Sequence, residues 1–310
     1  MNTLDKKYIN YLGYPQSGWI DLKSTSMTKA DFLYHLTRSK AALENITLIP
    51  GETYFFFLQD IAKKLHISVY KLFDQYAIKA YKKDGNILAN TYNVPIGMNE
   101  IELIDYLLTK TNQKYKKFSK KIFGFYDKEK WYKYVTIASI IQKEAASKQE
   151  MPLISSVIYN RLKKNMKLQM DGTLNYGKYS HTKITPKMIK ENETSYNTYK
   201  KTGIPNDPIC AVELEAIKAA IFPAVTNYLY FVKNTDGSKH IFSTTYKAHK
   251  KQIQKIKRYI KLHKKRTKQT KTIKPKITKR KTAKKKRKTP VYKRRKITQK
   301  RLKSLKSLWK

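Results

Sequence analysis

Apolar positions fall into a succession of short helical and extended patterns. After a candidate helix start at residues 26–31, Phe32, Leu33, Leu36 and Thr37 recur three and four residues apart, the spacing that lines one face of a helix. Residues 46–50 predict a short strand ending at Gly51. Thr53 is placed to cap a following helix whose apolar face is Phe56, Phe57, Ile61 and Leu65. A helical stretch over 69–82 leads to a turn at Asp84 and Gly85 and an extended segment over 87–95. Asn99 then stands before a helix carrying Ile101, Leu103, Ile104, Leu107 and Leu108.

The pattern is denser from residue 130 to about 250. Val135, Ile137, Ala138, Ile140 and Ile141 predict the inward side of a helix over 131–146. Pro152 suits the first turn of the next helix, with Ile154, Val157, Ile158, Arg161 and Leu162 on neighbouring faces. A loop over 169–173 follows, then Thr185 and Pro186 opening a short helix, and a helix over 213–221. A strand over 228–232 turns at Asp236 and Gly237 and returns from His240. From Lys247 a helix fades into a tail. No internal repeat interrupts this order, and the fold class it predicts is α+β, a mixed helical and small-sheet domain. The pieces divide into an N-terminal module (1–68), a linking helical module (69–129), a dense domain (130–250) and a tail (251–310).

Charge changes the picture mainly at the C-terminus. From Lys250 to Lys310 there are 30 Lys and Arg and no Asp or Glu, whereas the preceding 249 residues hold 37 basic and 22 acidic groups. A tail so poor in apolar residues buries too little surface to offset its ordering entropy, so it is expected to be disordered. Such tails bind polyanions by counterion release, whether anionic lipid, an acidic polymer or nucleic acid. The alternative is a coding bias toward Lys, Ile, Asn and Tyr, which 24 Tyr against 3 Trp also fits. The single Cys210 excludes an internal disulfide framework and a cysteine-based zinc site. The six histidines show no metal-ligand spacing, so neither a metal nor a cofactor is predicted. No window approaches the 18 or so apolar residues of a membrane span, and the start lacks the pattern of a signal peptide.

The candidate chemistry centres on Glu144. Cleaving a glycosidic bond needs a carboxylic acid that stays protonated near neutral pH, hence one partly desolvated. Glu144 ends an apolar helix and has Ala145 and Ala146 beside it, although the same spacing suits a solvated glutamate paired with Lys148. Arg161 either binds a carboxylate-bearing ligand or closes a salt bridge, and Asn160 is equally ambiguous. Gln169 and Asp171, in a turn with Gly172, are placed to hydrogen-bond sugar hydroxyls, or Asp171 makes a turn-stabilising contact of its own. Tyr196, Tyr199, Tyr228, Tyr230 and Phe231 are either stacking platforms for pyranose rings or core.

An ordered series of segments runs from Ala138 to Glu144, Val157 to Leu162, Leu168 to Asp171, Tyr196 to Tyr199, Gly203 to Pro205, Ala219 to Ala224, Tyr228 to Val232 and His240 to His249. In order and spacing it resembles the endolytic murein transglycosylases, the YceG-like family, over roughly residues 18–250. Residues 48–52 and 84–92 resemble that family's LysM-like and linking modules. The resemblance implies a lytic transglycosylase acting on peptidoglycan glycan strands, with Glu144 as the catalytic acid. Asn160, Arg161, Gln169, Asp171, Tyr196, Asn197 and Tyr199 would bind or line the substrate. Gln142, Asn90, Gly172 and the segment from Pro205 to Pro208 depart from the family pattern, which puts loop geometry in question more than Glu144.

The resemblance also implies the periplasmic face of the inner membrane, with peptidoglycan synthases as partners. The family's usual N-terminal membrane helix is missing from this sequence, so a truncated or misassigned start is expected. Two rival readings are a nucleic-acid-binding protein working through the tail and an inactive homologue that only binds wall glycan. The first leaves the ordered motifs unexplained, and the intact Glu144 argues against the second.

Overall fold

A computed structural model describes residues 3–13, 20, 22, 24, 26–38 and 42–272 of the chain. Helices α1 (Thr3–Leu12) and α2 (Lys29–Arg38) stand at the N-terminus, joined by a Lys29–Asp5 ion pair. Strand β1 (Leu43–Leu48), helices α3 (Tyr54–Leu65) and α4 (Val69–Lys79) and strand β2 (Asn90–Pro95) form a βααβ unit. The strands are antiparallel, with Ile46 opposite Tyr92 and Leu48 opposite Asn90. Alternation along the strands sends Ile46, Leu48, Tyr92 and Val94 inward against Phe57, Leu58, Ile61, Leu72, Leu103 and Leu107. This pairing joins segments on either side of residue 68, where the first two predicted modules were divided.

Helix α5 (Glu100–Phe123) begins as its sequence predicts. Asn99 and Glu102 form a reciprocal capping box, and Gly124 closes the helix in the left-handed conformation. Its inward residues, Leu103, Leu107, Thr111, Tyr115 and Ser119, recur every four positions. Helix α6 (Lys128–Glu144) is buried almost all round from Val135 to Ile141, the pattern of a helix at the centre of a core. Around it pack α7 (Met151–Lys163), with Pro152 in its first turn, and α9 (Leu214–Ile221). The short α8 (Pro186–Glu191) is capped by Thr185.

A hairpin of β3 (Tyr230–Lys233) and β4 (His240–Ser243) completes this region, with Phe231 opposite Phe242. The two cores meet along residues 210–212: Ala211 accepts from Gly51 N–H and donates to Glu52 O in the 49–52 turn, and Ala89 N–H donates to Val212 O. Gly85 permits a second close approach. It has φ +73°, and a methyl group there would lie 2.8–2.9 Å from Pro208 and Val135.

Helix α10 (Tyr246–Thr272) continues into the basic stretch that was expected to be unstructured from residue 251. The remainder of that expectation, residues 273–310, lies outside the described residues. The described residues through 262 form one compact unit, and a second begins at residue 263. No helix among the described residues is long and apolar enough to cross a membrane.

Candidate functional site

Glu144 is the last residue of α6. The buried run before it fixes the helix end, and Ala145 takes an extended conformation that turns the chain away. The i+4 pairing with Lys148 does not form, because Lys148 reaches Glu213 instead. Glu144 Oε1 accepts a hydrogen bond from the Gly172 backbone N–H at 2.8 Å. The absence of a side chain at residue 172 is what lets the loop come so close: a Cβ there would sit 2.8 Å from both Glu144 Oε1 and Lys143 Cβ.

Burial pushes the Glu144 carboxyl up to about 7. The Gly172 N–H opposes that rise and the nearby Asp171 adds to it. Glu144 is therefore a largely shielded acid with one backbone donor and a second carboxylate close by.

The turn beneath it is held by several bonds. Gln169 adopts φ +51°, a left-handed conformation costly for a side chain of its kind. It is kept there by its N–H bond to Thr198 O at 3.1 Å. Met170 N–H donates to Thr198 Oγ1 at 3.1 Å, and Thr173 Oγ1 donates to Met170 O at 2.7 Å. Asp171 Oδ1 accepts from Tyr199 O–H at 2.6 Å, so its partner lies across the loop rather than within its own turn. Burial and that carboxylate raise the Tyr199 phenol above its ordinary value.

The structure thus brings Glu144, Gln169, Asp171 and Tyr199 together, with Arg161 behind them. Arg161 is 7% exposed. Its Nε donates to Leu229 O at 2.6 Å, while one Nη donates to Lys167 O, Leu168 O and the Gln169 side chain at 3.0, 2.9 and 3.3 Å. Its guanidinium also lies over the Tyr230 ring, 5.0 Å from the centroid. The salt bridge considered for it is replaced by carbonyl contacts, and desolvation lowers its pKa. Asn160 Nδ2 donates to Thr226 O and Tyr228 O, anchoring α7 to the approach to β3. Asn197 is fully buried, with Nδ2 bonded to Ile189 O and Asn192 O and its side-chain oxygen accepting from Tyr199 N–H.

Tyr196 faces elsewhere. It stacks on Tyr176 with centroids 3.9 Å apart, beside a cavity of about 360 Å³ also lined by Tyr54, Asp84 and Tyr179. Asp84 was legible only as a turn residue. It is buried, accepts from Gly85 N–H at 2.9 Å and Tyr54 N–H at 3.2 Å, and is pushed up to about 7 by burial against the opposing influence of those donors and Lys143. No spacing in the sequence marks it, since its neighbours come from segments far apart in the chain.

The model of the YceG-like family matches residues 4–255. Among curated proteins, an endolytic murein transglycosylase of Bacillus subtilis is 36% identical over 157 residues, covering 50% of this chain and 42% of the relative. One from Streptococcus pneumoniae is 26% identical over 183 residues, covering 56% of this chain and 32% of the relative. The matched region thus spans less than half the length of these relatives. The solved structure of a YceG-like protein from Listeria monocytogenes superposes with a TM-score of 0.56 at 24% identity, covering 80% of this chain and 89% of that one, a likeness of fold. With the family model spanning the βααβ unit, the buried α6 and the loop over Glu144, the chain belongs to the YceG-like family.

Proposed function

We propose that the chain is a peptidoglycan lytic transglycosylase in which Glu144 acts first as acid and then as base. The observation that carries this reading is the Glu144 carboxyl, pushed up to about 7 at the end of a buried helix and oriented by one backbone N–H. Near neutral pH a substantial share of such a group is protonated and able to donate, and the carboxylate it becomes is basic enough to take a proton back.

Glu144 gives its proton to the oxygen of the bond between N-acetylmuramic acid and N-acetylglucosamine, and that C1–O bond breaks. The positive charge at C1 is carried as an oxocarbenium-like species or by the 2-acetamido group. The muramyl 6-hydroxyl then attacks C1 and returns its proton to the Glu144 carboxylate. The product is a 1,6-anhydromuramyl end, with no water consumed and no net change at the enzyme. This departs from the two-carboxylate plan of most glycosidases.

Gln169, Asp171 and Tyr199 contact the glycan in this reading. Asn160, Arg161 and Asn197, whose donors go to protein acceptors, shape the cleft rather than touch sugar. The βααβ unit serves as the LysM-like module, with Tyr196 in the aromatic cavity beside it. Cleavage within nascent strands, at the periplasmic face of the inner membrane and beside peptidoglycan synthases, would terminate strand elongation.

Digestion of purified, uncrosslinked glycan strands followed by mass spectrometry tests the chemistry. Anhydromuramyl ends are expected. Reducing muramyl ends would mean hydrolysis and sink the mechanism.

The basic C-terminal segment holds the enzyme to anionic lipid. Residues 263–310 carry 24 Lys and Arg and no acidic residue. Removing them, while sparing the half-buried Ile253 and Ile256 of α10, is expected to lower binding to phosphatidylglycerol vesicles, with a salt dependence lost in parallel. Unchanged sedimentation with the vesicles would reject this role.

A further inference from the structure

Three contacts tie the βααβ unit to residues 177–181, and that segment leads back into the turn that holds Glu144. Thr53 Oγ1 donates to Gly177 O at 3.0 Å. Glu52 Oε2 meets His181 Nε2 at 2.8 Å. The His181 ring stacks on Phe56 with centroids 3.9 Å apart and planes 12° from parallel.

The first contact is unusual in its direction. Thr53 occupies the N-cap position of α3 and is 0% exposed, yet its hydroxyl makes no capping bond to its own helix. A threonine cap ordinarily accepts from the first turn and stabilises the helix by about 1 kcal/mol. Here the Tyr54 N–H is taken by Asp84, and the Thr53 hydroxyl is turned outward to a carbonyl 124 residues away.

Between Gly177 and Gly172 the loop is closely braced. Asn175 N–H donates to Gly172 O at 3.1 Å, and Asn175 Nδ2 donates to Tyr179 O and Thr182 O at 3.0 and 2.8 Å. From the other side, Lys143 Nζ donates to Ser180 Oγ at 2.7 Å. Lys143 is the residue before Glu144, so the loop is fastened to α6 on one side and to the βααβ unit on the other. Backbone bonds from Asn175 N–H to Gly172 O, and from Tyr179 and Ser180 N–H to Tyr176 O and Gly177 O, link residues 177–181 to the residue whose N–H faces Glu144.

We propose that Thr53 and the Glu52–His181 pair are positioning residues: through them the βααβ unit holds the 171–182 loop closed over Glu144, although it touches no reacting atom. The inference rests on Glu144 being the catalytic acid. The charged and titratable groups around Glu144 are Asp171 on the loop, Tyr199 on the facing 196–199 segment and Lys143 on its own helix. On the βααβ side, Asp84 lies within the electrostatic reach of Lys143 and Glu52, and Cys210 within that of all three. Loosening the loop removes the Gly172 donor, which would raise the Glu144 pKa, and admits water, which would lower it. Burial is the larger influence, so the net shift is downward.

The test uses the full chain with Thr53→Val, Thr53→Ser and His181→Phe, measured for kcat, KM and pH dependence on uncrosslinked glycan strands. Circular dichroism and thermal midpoints establish that each is folded. His181 is exposed, so its phenylalanine variant keeps the ring stack without risking the core. Wild-type activity is expected to fall as pH rises through about 7. Thr53→Val and His181→Phe should lower kcat about ten- to a hundredfold with KM little changed, the signature of a misplaced reacting group. Their descending limb should also move to lower pH, and Thr53→Ser, which keeps the hydroxyl, should restore both. Folded Thr53→Val and His181→Phe proteins with wild-type kcat and an unmoved limb would overturn the proposal. A wild-type profile lacking any limb near pH 7 would instead overturn the reading of Glu144 on which it rests.

Discussion

Glu144→Gln is expected to abolish glycan cleavage, lowering turnover by at least about a thousandfold, because in the proposed mechanism one carboxyl supplies both proton transfers and an amide supplies neither. The substitution keeps the side chain's shape and an oxygen able to accept from Gly172 N–H, so the loop stays in place. Loss of activity is therefore not a loss of fold. The same variant reports on the protonation of Glu144 through stability. A carboxyl whose folded pKa lies near 7, above its unfolded value of 4.5, binds more protons in the folded state between those two values. Wild-type stability contributed by this group is thus fully present below about pH 4.5 and lost as pH rises through 7. Glutamine removes that dependence. The variant should match wild type in acid and exceed it by about 1–3 kcal/mol at pH 8. Chemical denaturation at the two pH values measures the difference. Equal gaps at both would show that Glu144 is an ordinary solvated glutamate, and retained cleavage would remove it from the mechanism.

Arg161→Met is expected to cost about 3–5 kcal/mol of stability. Methionine replaces the stem but leaves the carbonyls of Lys167, Leu168 and Leu229 without their donor, and a buried acceptor stripped of its partner costs about 1–3 kcal/mol. Against a typical margin of 5–15 kcal/mol, that is a large share. Lysine should not rescue it well, since one ammonium cannot span contacts that the planar fork reaches from two sides. Urea melts of both variants decide the matter. A folded Arg161→Lys protein of wild-type stability, but with a raised KM for glycan, would show that the residue binds substrate instead of bracing the cleft.

Local order was readable wherever the determining groups are close in sequence. Asn99 and Glu102 form their capping box three residues apart, Thr185 caps the helix beginning at Pro186, and Asp236 and Gly237 turn the β3–β4 hairpin. Val135, Ile137, Ala138, Ile140 and Ile141 marked the inward side of the helix that carries Glu144, and burial almost all round showed only in the structure. The ordered motifs from Ala138 to His249 carried the family resemblance that the family model bears out. The α+β class followed from these same patterns.

Other features depend on groups that meet only after folding. Thr53 looked like a simple helix cap, but burial beside Gly177 gave its hydroxyl another partner. Arg161 looked equally suited to a salt bridge or a ligand, and the carbonyls of 167, 168 and 229 decided which bonds it makes, because a desolvated guanidinium must find acceptors wherever packing supplies them. Lys148 left Glu144 for Glu213, a residue 65 positions on. Sequence alone determined which carboxylate ends the buried helix. Its acidity was decided by tertiary structure, since desolvation comes from the surfaces that close around a group and not from its neighbours along the chain.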